Sequence, residues 1–80
     1  MTAYDQALAL DPSNSDVRTF KGLTLNALER WEEALATLSL ALAETPSDAL
    51  AWRGKAEALR GLERVTEAEV AEETARKLGG

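Results

Sequence analysis

The chain contains no cysteine and no histidine. Without cysteine there are no disulfides, no thiolate metal sites and no thiol nucleophile. Without histidine the commonest general base and metal ligand is missing. Aromatic residues are scarce: Tyr4, Phe20, Trp31 and Trp52 are the whole set. No apolar run approaches the length of a membrane span, and no basic start followed by an apolar stretch opens the chain. That pattern favours a cytoplasmic setting and no membrane partner. The net charge is −5, with no basic footprint of the kind nucleic acid requires. No cofactor is implied.

What remains is a chain of 80 residues rich in alanine and leucine, the best helix formers. A chain this short buries only about 60–65% of the surface its unfolded form exposes, so its core is thin. Composition alone points to an all-α domain with closely approaching helices.

The sequence repeats itself. Pro12 and Pro46 stand 34 residues apart, and the interval returns Ser13 as Ser47, Lys21 as Lys55, Leu25 as Leu59 and Leu28 as Leu62. Glu29-Arg30 recurs as Glu63-Arg64, Glu33-Ala34 as Glu67-Ala68, and Ala7 as Ala41 and Ala75. A fixed period of this length marks stacked supersecondary units that bury a core only by packing on each other.

Helical periodicity divides the chain into five helices. The first runs from Thr2 to Leu10 and ends at Asp11-Pro12, because the residue before proline is pushed out of the α region. Ser13 to Asp16 opens the second, which reaches about Leu28. Glu29-Arg30 is a tight turn between antiparallel helices. The third helix spans Trp31 to Glu44 and is broken by Thr45-Pro46. Ser47 is the expected N-cap of the fourth, the Gly61–Arg64 turn follows it, and the fifth runs from Val65 to Leu78 before Gly79-Gly80. The fifth helix carries Glu67, Glu69, Glu72 and Glu73 toward its start and Arg76 and Lys77 at its end, as the macrodipole favours. Short loops leave no room for a domain linker. Gly22 and Ala56, and Ala34 and Ala68, place small residues where two helices can approach closely.

These residues resemble a tetratricopeptide repeat protein. The resemblance rests on Trp52 at the signature aromatic position, Gly22 and Ala56 at the small position after it, and Leu25 and Leu59 beyond. On the second helix of each hairpin it rests on Ala34 and Ala68, Leu38, then Ala7, Ala41 and Ala75, with Pro12 and Pro46 closing the repeats. The stretches ERWEEAL and YDQALALDP are close to the family pattern. The resemblance covers nearly the whole chain as one domain: a half repeat at 2–12, a repeat at 15–48 and a C-terminal repeat at 49–80. It implies a right-handed α-solenoid of antiparallel hairpins, about two and a half repeats in five helices.

The departures from that pattern are specific. Arg18 stands where Trp52 stands one repeat later. Glu29 and Glu63 occupy a turn position often held by glycine, and a left-handed backbone there costs each about 1 kcal/mol. Glu69 and Glu72 replace the leucine and aromatic of the family, which makes the last helix read as a polar C-terminal cap.

Residues that suggest chemistry have structural readings beside them. Glu32-Glu33 and Glu72-Glu73 are helix neighbours that point in different directions, so neither is an acid–base pair. Ser13, Ser15, Ser39 and Ser47 have no histidine to activate them. Trp31 and Trp52 are either exposed binding anchors or inter-repeat packing, with packing the stronger reading. Lys21 and Lys55 are better read as stems covering apolar surface than as anion binders. No enzyme activity is indicated.

In tetratricopeptide proteins the concave face binds partner peptides or helices. The resemblance places Thr19, Leu23 and Asn26 on that face from one hairpin and Arg53, Glu57 and Arg60 from the next. Arg53 and Arg60 can grip a carboxylate by forked hydrogen bonds, unless they pair with Glu57 and Glu63 on their own helix. A lysine–asparagine clamp for chaperone tails is not supplied by Thr19, Leu23, Arg53, Gly54 and Glu57. The expected function is therefore a protein–protein interaction scaffold. Two alternatives stand beside it: a homodimer formed through the unpaired face at Tyr4, Ala7 and Leu8, and a docking segment of a larger enzyme.

Overall fold

The computed structural model describes residues 15–79. Among them are four α-helices and no strand: α1 (Ser15–Ala27), α2 (Trp31–Glu44), α3 (Ala49–Gly61) and α4 (Val65–Lys77). These match the second to fifth helices expected from the sequence. The first expected helix, Thr2–Leu10, lies outside the described residues, and so do Tyr4, Ala7 and Leu8.

Both hairpin turns close the same way. At the end of α1 the Arg30 N–H bonds the Leu25 carbonyl and the Glu29 N–H bonds that of Asn26, each at 2.9 Å. At the end of α3 the Arg64 N–H bonds Leu59 at 2.8 Å and the Glu63 N–H bonds Arg60 at 2.9 Å. This pair of bonds satisfies carbonyls the helix would otherwise orphan, and it needs a left-handed residue at the corner. Glu29 has φ 59° and Glu63 has φ 63°, so the glutamates take the glycine conformation that the sequence departures raised. After α4 the corresponding corner is Gly79, at φ 94°. Arg30 and Arg64 then begin the next helices without capping them. They turn instead to Glu33 and Glu67 one helical turn on, at 3.2 and 2.9 Å.

The start of α3 corrects an expectation. Asp48, not Ser47, is the N-cap: its carboxylate accepts from the backbone N–H groups of Leu50 and Ala51. Ser47 is exposed and lies one residue before the cap.

The interior is built mainly from alanine and leucine. One cluster joins Leu25, Ala34, Leu38, Leu42, Ala51 and Ala58; a second joins Ala56, Leu59, Ala68 and Ala71. Leu35 and Trp52 pack against both, so the two hairpins share one continuous core. Its centre is Leu38, fully buried on α2. A Cβ added to Gly22 of α1 would fall 2.4 Å from the Leu38 side chain, and one added to Gly54 of α3 would fall 3.1 Å from it. Leu38 therefore fills a slot that only two glycines leave open. Trp31 uses the same device: its ring lies over Gly61 of α3, where a Cβ would fall 2.1 Å away. Both tryptophans are half-buried packing residues. Trp52 also donates from its indole N–H to the Pro46 carbonyl at 2.8 Å, and the Lys55 ammonium sits 5.0 Å from the centre of its ring. The Lys55 charge thus lies over an aromatic face.

Candidate functional site

The six residues placed on the binding face by sequence divide into two groups. Thr19 and Asn26 are buried, each only 2% exposed, because α3 packs over them. The Thr19 hydroxyl lies 3.0 Å from both the Asp48 carboxylate and the Ser15 carbonyl, and its single proton is shared between these two acceptors. The Asn26 amide donates to the Gly54 carbonyl at 2.9 Å, while its own oxygen is buried without a partner. These two side chains join one hairpin to the next and are out of reach of a partner. Their polarity reads as surface within one helix, and only the second hairpin puts them inside.

The other four come together. Leu23, Arg53, Glu57 and Arg60 line a groove of about 470 Å³. Leu50 and Gly54 of α3 and Glu72, Ala75 and Arg76 of α4 complete its wall. Leu23 is half-buried and reaches over from α1 to Gly54, where a Cβ would fall 2.7 Å from its methyl group. The missing side chain at Gly54 thus keeps the floor low between α1 and α3.

The electrostatics follow from one strong pair. Arg60 meets Glu72 across the α3–α4 hairpin through two parallel bonds, Nε to Oε2 at 3.0 Å and Nη2 to Oε1 at 2.7 Å. Arg60 therefore pairs across the hairpin, and not with Glu57 on its own helix or Glu63 in the turn. The hydrogen bond from Arg60 holds the Glu72 carboxyl below the usual carboxylate range, and the same bond raises Arg60 further above its ordinary value. Arg53 is exposed and, among the described residues, has no hydrogen-bond or ion-pair partner, on Glu57 or elsewhere. Sequence reasoning missed Glu72 and Arg76 as groove residues. In the sequence Glu72 reads as a departure from the family pattern, a member of the Glu72-Glu73 pair and, like Arg76, a complement to the helix dipole. The 34-residue period would have found them, since Leu38 recurs as Glu72 and Leu42 as Arg76.

A sequence model described as tetratricopeptide repeat matches residues 1–58. The chain belongs to the tetratricopeptide repeat family. No curated protein and no solved structure matches it. The match takes in α1, α2 and most of α3. It stops before α4, the tetratricopeptide helix whose Glu69 and Glu72 depart from the pattern. Tetratricopeptide repeats generally mediate protein–protein interaction and are typically not catalytic.

The chemistry of the groove agrees with that role. Its charged lining is three arginines, Arg53, Arg60 and Arg76, and two glutamates, Glu57 and Glu72. No hydroxyl or thiol side chain lines the groove. What three guanidinium groups can do is hold carboxylates. Among the described residues no group of three or more acidic, cysteine or histidine side chains is placed to bind a metal. No helix among them is long and apolar enough to cross a membrane.

Proposed function

We propose that this chain is a non-catalytic interaction module that holds a segment of a partner protein in the groove between α3 and α4, over Leu23. The observation that carries the reading is the placement of Arg53. It is an exposed guanidinium, unpaired among the described residues, in a groove whose lining also includes Leu23, Leu50, Gly54 and Ala75. In this reading the domain is a right-handed array of five helices, with 2–12 as a half repeat and 15–48 and 49–80 as full repeats. The partner contacts are Leu23, Arg53, Glu57 and Arg60, with Thr19 and Asn26 supporting them from beneath. The setting is cytoplasmic.

Panning a random-peptide library against the whole chain tests this. Selected peptides should perturb the backbone amides of Leu23, Arg53 and Glu57 in a heteronuclear NMR titration. They should also lose affinity for the R53E variant. Selected peptides that perturb only the α1 and α2 surfaces away from Leu23, or that bind R53E as well as the original, would remove the groove from consideration.

A further inference from the structure

The groove is the place on the second hairpin that α3 occupies on the first. Four of the residues that receive α3 on the preceding hairpin set its position. Thr19 reaches its capping carboxylate at Asp48, and Asn26 reaches the Gly54 carbonyl. Leu38 presses against Gly54, and Leu42 shares a cluster with Ala51 in the first turn. Moved on by the 34-residue period, these four become Arg53, Arg60, Glu72 and Arg76. All four line the groove. The concavity therefore has the position and the donors of a helix seat, with its neutral residues exchanged for charged ones.

The exchange has a direction. Thr19 and Leu42 both flank the first turn of α3, through Asp48 and Ala51. Their successors are Arg53 and Arg76, so two guanidinium groups flank the place where the first turn of an incoming helix would lie. Arg60 and Glu72 neutralise each other at mid-groove, leaving Arg53 and Arg76 against the single lining carboxylate of Glu57. The local excess is positive in a chain of net charge −5. Carboxylates in the first turn of a helix also suit its own dipole.

We infer that the groove seats one helix of a partner protein, an amphipathic helix with an acidic first turn, docked on α3 and α4 as α3 is docked on α1 and α2. This rests on the groove being the binding site and adds the shape and charge of what enters it. A small residue six positions after the cap, as Gly54 follows Asp48, would face the Arg60–Glu72 pair.

Three synthetic peptides test the inference on the whole chain. One is helical, as long as the 13-residue α3, with an Asp cap, glutamates in the first turn and glycine at the sixth position. The second carries lysine in place of each acid, and the third has a central proline that prevents the helix. Titration calorimetry and NMR should show the acidic helix perturbing Arg53, Glu57 and Arg76 amides and binding at least about tenfold more tightly than the lysine form. The R53E/R76E double variant, whose circular dichroism should be unchanged, should reverse that preference. A proline peptide that binds as well and moves the same amides would overturn the helix seat and leave the groove standing as the binding site. Equal binding of acidic and lysine forms, no binding of the acidic helix, or self-association of the chain through these same residues would overturn the inference outright.

Discussion

The Thr19 hydroxyl of one hairpin meets the Asp48 carboxylate that caps the first helix of the next, at 3.0 Å. One carboxylate thereby serves two purposes. Its Oδ1 satisfies the orphan N–H groups of Leu50 and Ala51, and its Oδ2 ties the hairpins together. Asp48→Ala should cost about 1–2 kcal/mol, the upper part of the range for losing a cap. Ser47→Ala should leave the melting temperature unchanged. Thermal denaturation followed by circular dichroism checks both, and equal losses from the two variants would restore Ser47 as the cap.

Filling the slot around Leu38 should be damaging. Gly22→Ala and Gly54→Ala each insert a methyl group against that side chain or its neighbour Leu23, and overpacking of this kind costs about 1–3 kcal/mol. Contact between the altered residues makes the effects non-additive. Gly22→Ala combined with Leu38→Val should therefore lose less than the sum of the single losses. A strictly additive double variant, measured by urea unfolding, would show that the clash lies elsewhere.

The turn glutamates are sites for stabilisation. Glu29 and Glu63 hold left-handed backbone, at a cost of about 1–2 kcal/mol for an L-residue, while glycine loses more chain entropy on folding, about 0.5–1 kcal/mol. The balance favours Glu29→Gly and Glu63→Gly by about 0.5–1 kcal/mol each, or a few degrees in melting temperature for a domain of this size. Glu29→Ala removes the same charge without relieving the backbone and should give no gain. A gain from alanine equal to that from glycine would assign the effect to charge.

The Arg60–Glu72 pair gives a pH signature of defined sign. Its hydrogen bond lowers the Glu72 carboxyl in the folded chain relative to the unfolded one. The linked stabilisation is present in full above the ordinary glutamate value of about 4.3 and is lost as pH falls through the lowered value. Both groups are well exposed, so the effect is small and weakened by salt. Glu72→Gln should make the melting temperature fall less steeply with pH below about pH 4 in low salt. An acid limb as steep as that of the original chain would show that the pair does not form in solution.

Helix limits and turn strain were readable because their causes are local. Thr45-Pro46 cannot continue a helix, and the repeat aligns Glu29 and Glu63 on a corner that needs positive φ. Asp48 was hidden by its neighbour: Ser47 and Asp48 are both capping types, and the backbone angles at Asp48 decide between them. The burial of Thr19 and Asn26 was hidden for a different reason. Periodicity shows which residues share a face of one helix but not which face the next hairpin will cover. The Arg60–Glu72 pair spans a turn and two helices, beyond the reach of any local spacing rule. The groove was therefore legible on α3 from the spacing along one helix, and on α4 only through the 34-residue period.

Leu38 works as a rivet through three helices. With its side chain held by Gly22 on one side and Gly54 on the other, neither hairpin can swing away without emptying the slot in both. The two repeats should consequently open to solvent together, with slowly exchanging amides of α1, α2 and α3 sharing one protection level instead of fraying repeat by repeat. A module of this size built so offers whatever it binds a rigid platform, with no hinge between its halves.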